Sequence, residues 1–120
     1  MAIQIGDRIP DARIATMVDG QPTTLDTGEI FAGNTVLLFG VPGAFTPTCS
    51  ARHLPGYIEQ FEALRAHGID IVACLSVNDA YVMGAWSASA GAENILMLAD
   101  GNADFTRALG LDIDSSAFCM

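Results

Sequence analysis

One stretch concentrates the reactive side chains of this sequence: Val41-Pro42-Gly43-Ala44-Phe45-Thr46-Pro47-Thr48-Cys49-Ser50. The chemistry it suggests is that of a nucleophilic thiolate at Cys49. The cysteine lies where an apolar run, Thr35-Val36-Leu37-Leu38-Phe39, hands over to a helical pattern opening at Ala51-Arg52-His53-Leu54. In open α/β sheets, ligand and catalytic sites gather at the carboxyl ends of strands. A thiol at a helix N-terminus faces unpaired N–H groups and the positive end of the helix dipole, which favour thiolate over thiol. Pro42 and Pro47 stiffen the stretch, Gly43 permits close backbone approach, and Thr46 and Thr48 bring hydroxyls that can donate to a thiolate. The competing reading is a buried, inert cysteine, since a cysteine outside a disulfide is among the most buried residue types.

The other candidates are weaker. His53 is i+4 from Cys49, so a thiolate–imidazolium couple, and with it Cys–His acyl transfer, is one alternative; packing or surface hydrogen bonding is the plainer one. Two groups at that spacing are too few for a zinc site, and no metal or other cofactor is implied. His67 ends a helical pattern, where the dipole favours it. Cys74 sits mid-strand among Val72, Ala73 and Leu75, which reads as burial, because a reactive thiol needs exposure. Cys119 is penultimate in an ambiguous tail and could in principle act as a resolving thiol.

The elements that must position Cys49 follow from periodicity. Ile9 to Leu25 predicts a β-hairpin around an Asp19-Gly20 turn, and Asp26–Gly33 a loop with a single helical turn. A buried strand is expected near Thr35–Gly40. From about Thr48 to His67 the pattern is helical, with Leu54, Ile58, Phe61 and Leu64 in one apolar stripe and a kink expected near Pro55. Ile69–Val77 predicts a second buried strand, with Asn78 as N-cap of a helix over Asp79–Ala90 that Gly91 ends. Ile95–Leu98 is a third strand and Ala103–Leu109 a short helix stopped by Gly110. Strand–helix–strand–helix–strand implies right-handed crossovers and a parallel sheet, an α/β fold.

The 120 residues fit one domain, with 51% apolar residues for a core. A formal net charge of −9, with five arginines and no lysine, opposes binding to phosphate backbones, so nucleic acid is not an expected partner. No apolar run reaches the roughly 18 residues of a membrane span, and no signal peptide is recognisable at the start. Three cysteines without close pairing argue against a secreted disulfide scaffold and for a reducing cytoplasm.

The Pro42–Ser50 stretch, continuing into His53-Leu54-Pro55-Gly56-Tyr57, closely resembles the active-site segment of peroxiredoxins of the peroxiredoxin 5 subfamily. So do Val72–Asp79 with Ala85-Trp86, Gly6-Asp7 with Ile9-Pro10, and Ile95–Gly101 ahead of Phe105, so that the likeness runs over essentially the whole chain. The resemblance implies a thioredoxin-like fold and a thiol-dependent peroxidase acting on hydrogen peroxide and alkyl hydroperoxides. Cys49 would be the peroxidatic cysteine that becomes a sulfenic acid. Thr46 would hydrogen-bond thiolate and peroxide, and Pro42 would shield the sulfur from bulk water. Recycling would fall to an external thiol, glutathione with glutaredoxin or thioredoxin. The subfamily's dimers meet near the active-site loop, making Phe45 and the Asn78–Ala90 helix the expected homodimer face. A non-catalytic redox sensor or binding module on the same fold is the alternative.

In one respect the resemblance is incomplete. The family's pocket is completed by an arginine in a later Arg-Ser-containing segment, followed by an antiparallel strand pair and a last helix. The 120 residues reach Ser115-Ser116-Ala117-Phe118-Cys119-Met120, ahead of that segment. A truncated chain and a variant lacking the motif both fit, and either leaves the strand at Thr35–Gly40 as an open sheet edge. Arg52, i+3 from Cys49, and Arg107 are the arginines to consider as substitutes. Arg52 otherwise reads as a solvated helix charge.

Overall fold

A computed structural model describes residues 2–47 and 52–118. The expected hairpin is present: β1 (Arg13–Val18) and β2 (Gln21–Asp26) pair antiparallel around Asp19 and Gly20, whose φ angles are +50° and +79°. Two consecutive residues at positive φ match the right-handed twist of the flanking strands. A short helix, α1 (Thr27–Phe31), follows. Buried Thr27 ties it to the N-terminal segment, its hydroxyl donating to the Pro10 carbonyl (2.8 Å) and accepting from the Ala12 N–H (3.1 Å).

Next come β3 (Val36–Gly40), α2 (Leu54–Ala66), β4 (Ile71–Ser76), α3 (Ala80–Ala90) and β5 (Leu96–Ala99). β3, β4 and β5 are parallel neighbours, as expected, and β1 joins β5 antiparallel, giving the order β2-β1-β5-β4-β3. Among the described residues β3 pairs only with β4, so the strand that leads to Cys49 is the sheet's edge strand.

The near-continuous apolar run of β4 is explained by burial on both faces. Successive strand residues point to opposite faces. Val72 and Cys74 join Phe39, Met97, α2 and α3 in one cluster; Ala73 and Leu75 join Ile14, Ile30 and Leu98 with α4 (Asp104–Ala108) in the other. The sheet is thus covered by α2 and α3 on one side and by α1 and α4 on the other. The predicted stripe of α2 faces inward, with Leu54 fully buried and Ile58, Phe61 and Leu64 half-buried against the first cluster.

One local expectation is refined and one is corrected. The regular α-helical part of α2 begins at Leu54, with Pro55 in its first turn. Arg52 and His53, just ahead, adopt a wider π-type turn, so the helical winding changes next to the proline, where the kink was expected. The N-cap of α3 is Asp79, not Asn78: its Oδ1 accepts the Val82 N–H at 2.8 Å. The side chain of Asn78 is engaged elsewhere. Gly91, at φ +67°, ends α3 as expected.

Asp100, only 3% exposed, organises the turn from β5 into α4. Its carboxylate accepts the N–H groups of Phe105 (3.2 Å) and Thr106 (2.7 Å) and the Thr106 hydroxyl (2.6 Å). Asp100→Ala would leave these donors without their buried partner, so a loss of about 1–3 kcal/mol is expected in urea unfolding. Asp100→Asn, which keeps one acceptor oxygen, should lose less.

No helix among the described residues is long and apolar enough to cross a membrane.

Candidate active site

The stretch singled out above leaves the sheet at the carboxyl end of β3. The Val41 N–H still donates to the Leu75 carbonyl of β4 (2.9 Å), and from Pro42 onward the chain departs. Gly43 is buried, Pro42 and Pro47 are exposed, and Ala44 and Thr46 are half-buried. Phe45 adopts a left-handed backbone, φ +64°. For a bulky aromatic this is strained, and strain of this kind concentrates at functional sites.

Hydrogen bonds bracket that residue. On one side the Ala44 N–H donates to Asn78 Oδ1 (2.9 Å), and the same oxygen accepts the hydroxyl of buried Ser76 (2.5 Å). On the other, the Thr46 hydroxyl donates to the Gly43 carbonyl (2.7 Å). Thr46 has therefore committed its proton, and its remaining lone pairs can accept from a bound O–H group. The Phe45 ring, half exposed, lies 6.4 Å from the buried Trp86 ring at a 50° tilt, joining the loop to α3. Behind the loop, Phe39 of β3 stacks on Tyr57 of α2, with ring centroids 3.8 Å apart and planes within 9°.

Pro42 and Val41 also line an open groove of about 550 Å³, together with Val77, Thr106, Arg107 and the segment around Asp112. Arg107 thus shares a groove with Pro42. Its guanidinium donates to the Asn102 carbonyl (2.8 Å) and lies 3.8 Å from the Asp104 carboxylate. Arg52 and His53 are exposed at the entry to α2.

The structure brings Pro42 and Thr46 into one loop at the strand end, where the sequence pattern put them. Cys49 itself, with Thr48, Ser50 and Ala51, lies outside the described residues, as does Cys119. Cys74 is fully buried in β4, opposite Phe39 and Met97, as its surroundings in the sequence suggested. Among the described residues no group of three or more His, Cys, Asp or Glu side chains is placed to hold a metal ion. The sequence reading missed the pair Ser76–Asn78. The signal was present: Asn78-Asp79 offers two capping residues for one helix end, which leaves one side chain for another task.

Residues 4–120 match the Redoxin family. The chain is 50% identical over 118 residues to the chloroplastic peroxiredoxin-2E-2 of Oryza sativa subsp. japonica, covering 95% of this chain and 52% of that protein. It superposes on the reduced Prx3 of Vibrio vulnificus in complex with H2O2 with a TM-score of 0.94 at 50% identity, covering 97% of this chain and 73% of that one. For peroxiredoxin 5 of Alvinella pompejana the TM-score is 0.88 at 36% identity, with 98% and 75% covered. The chain spans about half the length of several of the curated relatives it matches.

Proposed function

The chain belongs to the peroxiredoxins, within the redoxin family, and from that premise we propose that it is a thiol-dependent peroxidase whose nucleophile is Cys49. The observation that carries the reading is the loop at the end of β3. Its strained Phe45 is flanked by a bound Ala44 and a threonine whose hydroxyl is oriented by the Gly43 carbonyl. Such a loop is preorganised and offers an acceptor for the O–H of a hydroperoxide.

In the proposed reaction the Cys49 thiolate attacks the terminal peroxide oxygen. The S–O bond forms as the O–O bond breaks, and the leaving hydroxide or alkoxide takes a proton and departs as water or alcohol. Sulfur is oxidised to sulfenic acid and the peroxide is reduced. Thr46 accepts the peroxide hydrogen bond, Pro42 limits water at the sulfur, and backbone N–H groups hold the developing charge. The complex of the Vibrio vulnificus relative with H2O2 supports the choice of substrate. Two equivalents of an external thiol, glutathione with glutaredoxin or the dithiol of thioredoxin, return the sulfenic acid to thiol. The chain works as a homodimer that meets through Phe45 and α3. The exposure of Phe45, Val77 and Tyr81 supports that face, and a monomeric, concentration-independent mass in solution would remove it.

Sulfenic-acid trapping tests the reading. After one equivalent of hydrogen peroxide, dimedone adduct mapped by mass spectrometry should fall on Cys49 and not on Cys74. Adduct confined to other cysteines would refute it.

A further inference from the structure

We infer that Asn78 is the positioning residue of the peroxidatic loop: its Oδ1 holds the Ala44 N–H and so fixes the turn through Phe45 that presents Thr46. The inference rests on the peroxidase reading and adds to it a residue that acts through others.

The amide is well placed for that task. Asn78 lies between the end of β4 and the start of α3, yet it does not cap α3, because Asp79 does. The Ala44 N–H can only donate, so the amide atom facing it must be the oxygen. The same oxygen takes the hydroxyl of Ser76, which is 1% exposed, so both of its lone pairs are used. Asn78 is thus tied to the end of β4 through Ser76 on one side and holds the loop on the other.

The loop requires such a tie. A left-handed aromatic residue persists only where its surroundings over-determine it. Here the Ala44–Asn78 bond precedes Phe45 and the Thr46–Gly43 bond follows it. Without the first, Phe45 can relax toward an ordinary backbone conformation, and the Thr46 hydroxyl shifts with it. Displacements of about 1 Å at a reacting centre can lower a rate on the order of 100-fold.

Two variants test this, each followed by stopped-flow oxidation with hydrogen peroxide and by the pH profile of Cys49 alkylation with iodoacetamide. Asn78→Leu keeps the size and removes the acceptor. It should slow peroxide oxidation by about 10- to 100-fold at temperatures well below its melting point. Asn78→Asp keeps the acceptor and adds a negative charge beside the loop. At high pH it should oxidise within about threefold of the wild type, with its alkylation midpoint moved to higher pH, because a nearby negative charge disfavours thiolate. Fast wild-type oxidation with an unchanged rate in Asn78→Leu overturns the assignment and leaves the peroxidase reading standing. Should Asn78→Leu not fold, Asn78→Asp decides: slow oxidation at every pH, or an unmoved midpoint, overturns it. Wild-type oxidation no faster than a simple thiol's removes the peroxidase reading and this inference together.

Discussion

Cys49→Ser is expected to abolish peroxide consumption, leaving only the rate of buffer with peroxide. A serine hydroxyl is far too weak an acid to supply an anion near neutral pH, and oxygen cannot be oxidised as sulfur is to a sulfenic acid. Cys74 offers no substitute, because it is fully buried in the central strand β4. Cys74→Ala should therefore keep turnover, and Cys119→Ser should keep it as well if resolution falls to an external thiol. Steady-state peroxide consumption by the three variants, measured side by side, checks this. Residual activity in Cys49→Ser that disappears on further loss of Cys119 would place the nucleophile in the tail instead.

The largest loss of stability is expected from Trp86→Ala. Trp86 is 1% exposed and sits in the cluster with Met83, Leu54, Phe39 and Met97. Truncating a buried aromatic removes its transfer free energy and leaves a cavity, together about 3–5 kcal/mol. Against a domain stability of about 5–15 kcal/mol this is a large share, and a fall in melting temperature on the order of 10–20 °C should follow. Because the ring also supports Phe45, the variant should lose oxidation rate even where it remains folded. Trp86→Phe should recover most of both. Differential scanning calorimetry beside the oxidation assay separates the two effects.

The parts of this protein legible in its sequence are those fixed by local pattern. The β4 run from Ile71 to Ser76 shows burial on both sides, and the Leu54–Leu64 stripe shows which side of α2 meets the sheet. Asp19-Gly20 specifies its hairpin turn, and Gly91 its helix end. The position of the loop at the end of β3 was readable because strand, glycine–proline segment and helix follow one another directly. Contacts between distant segments were not readable. Nothing local in Asn78 says that its oxygen meets Ala44, 34 residues away, rather than the N-terminus of α3. The left-handed Phe45 likewise has no compositional signal, since it exists through the bonds on either side of it.

The account's central claim, that the β3–α2 loop makes Cys49 a peroxide-reducing thiolate, is tested most directly by single-turnover oxidation. The reduced chain is mixed with increasing hydrogen peroxide and followed by the fluorescence of Trp86, the only tryptophan, with Cys49→Ser as control. The account predicts a phase whose rate rises linearly with peroxide, far exceeds that of a free thiol and is absent from the control. A rate no greater than that of a simple thiol, or one that persists in Cys49→Ser, would contradict it.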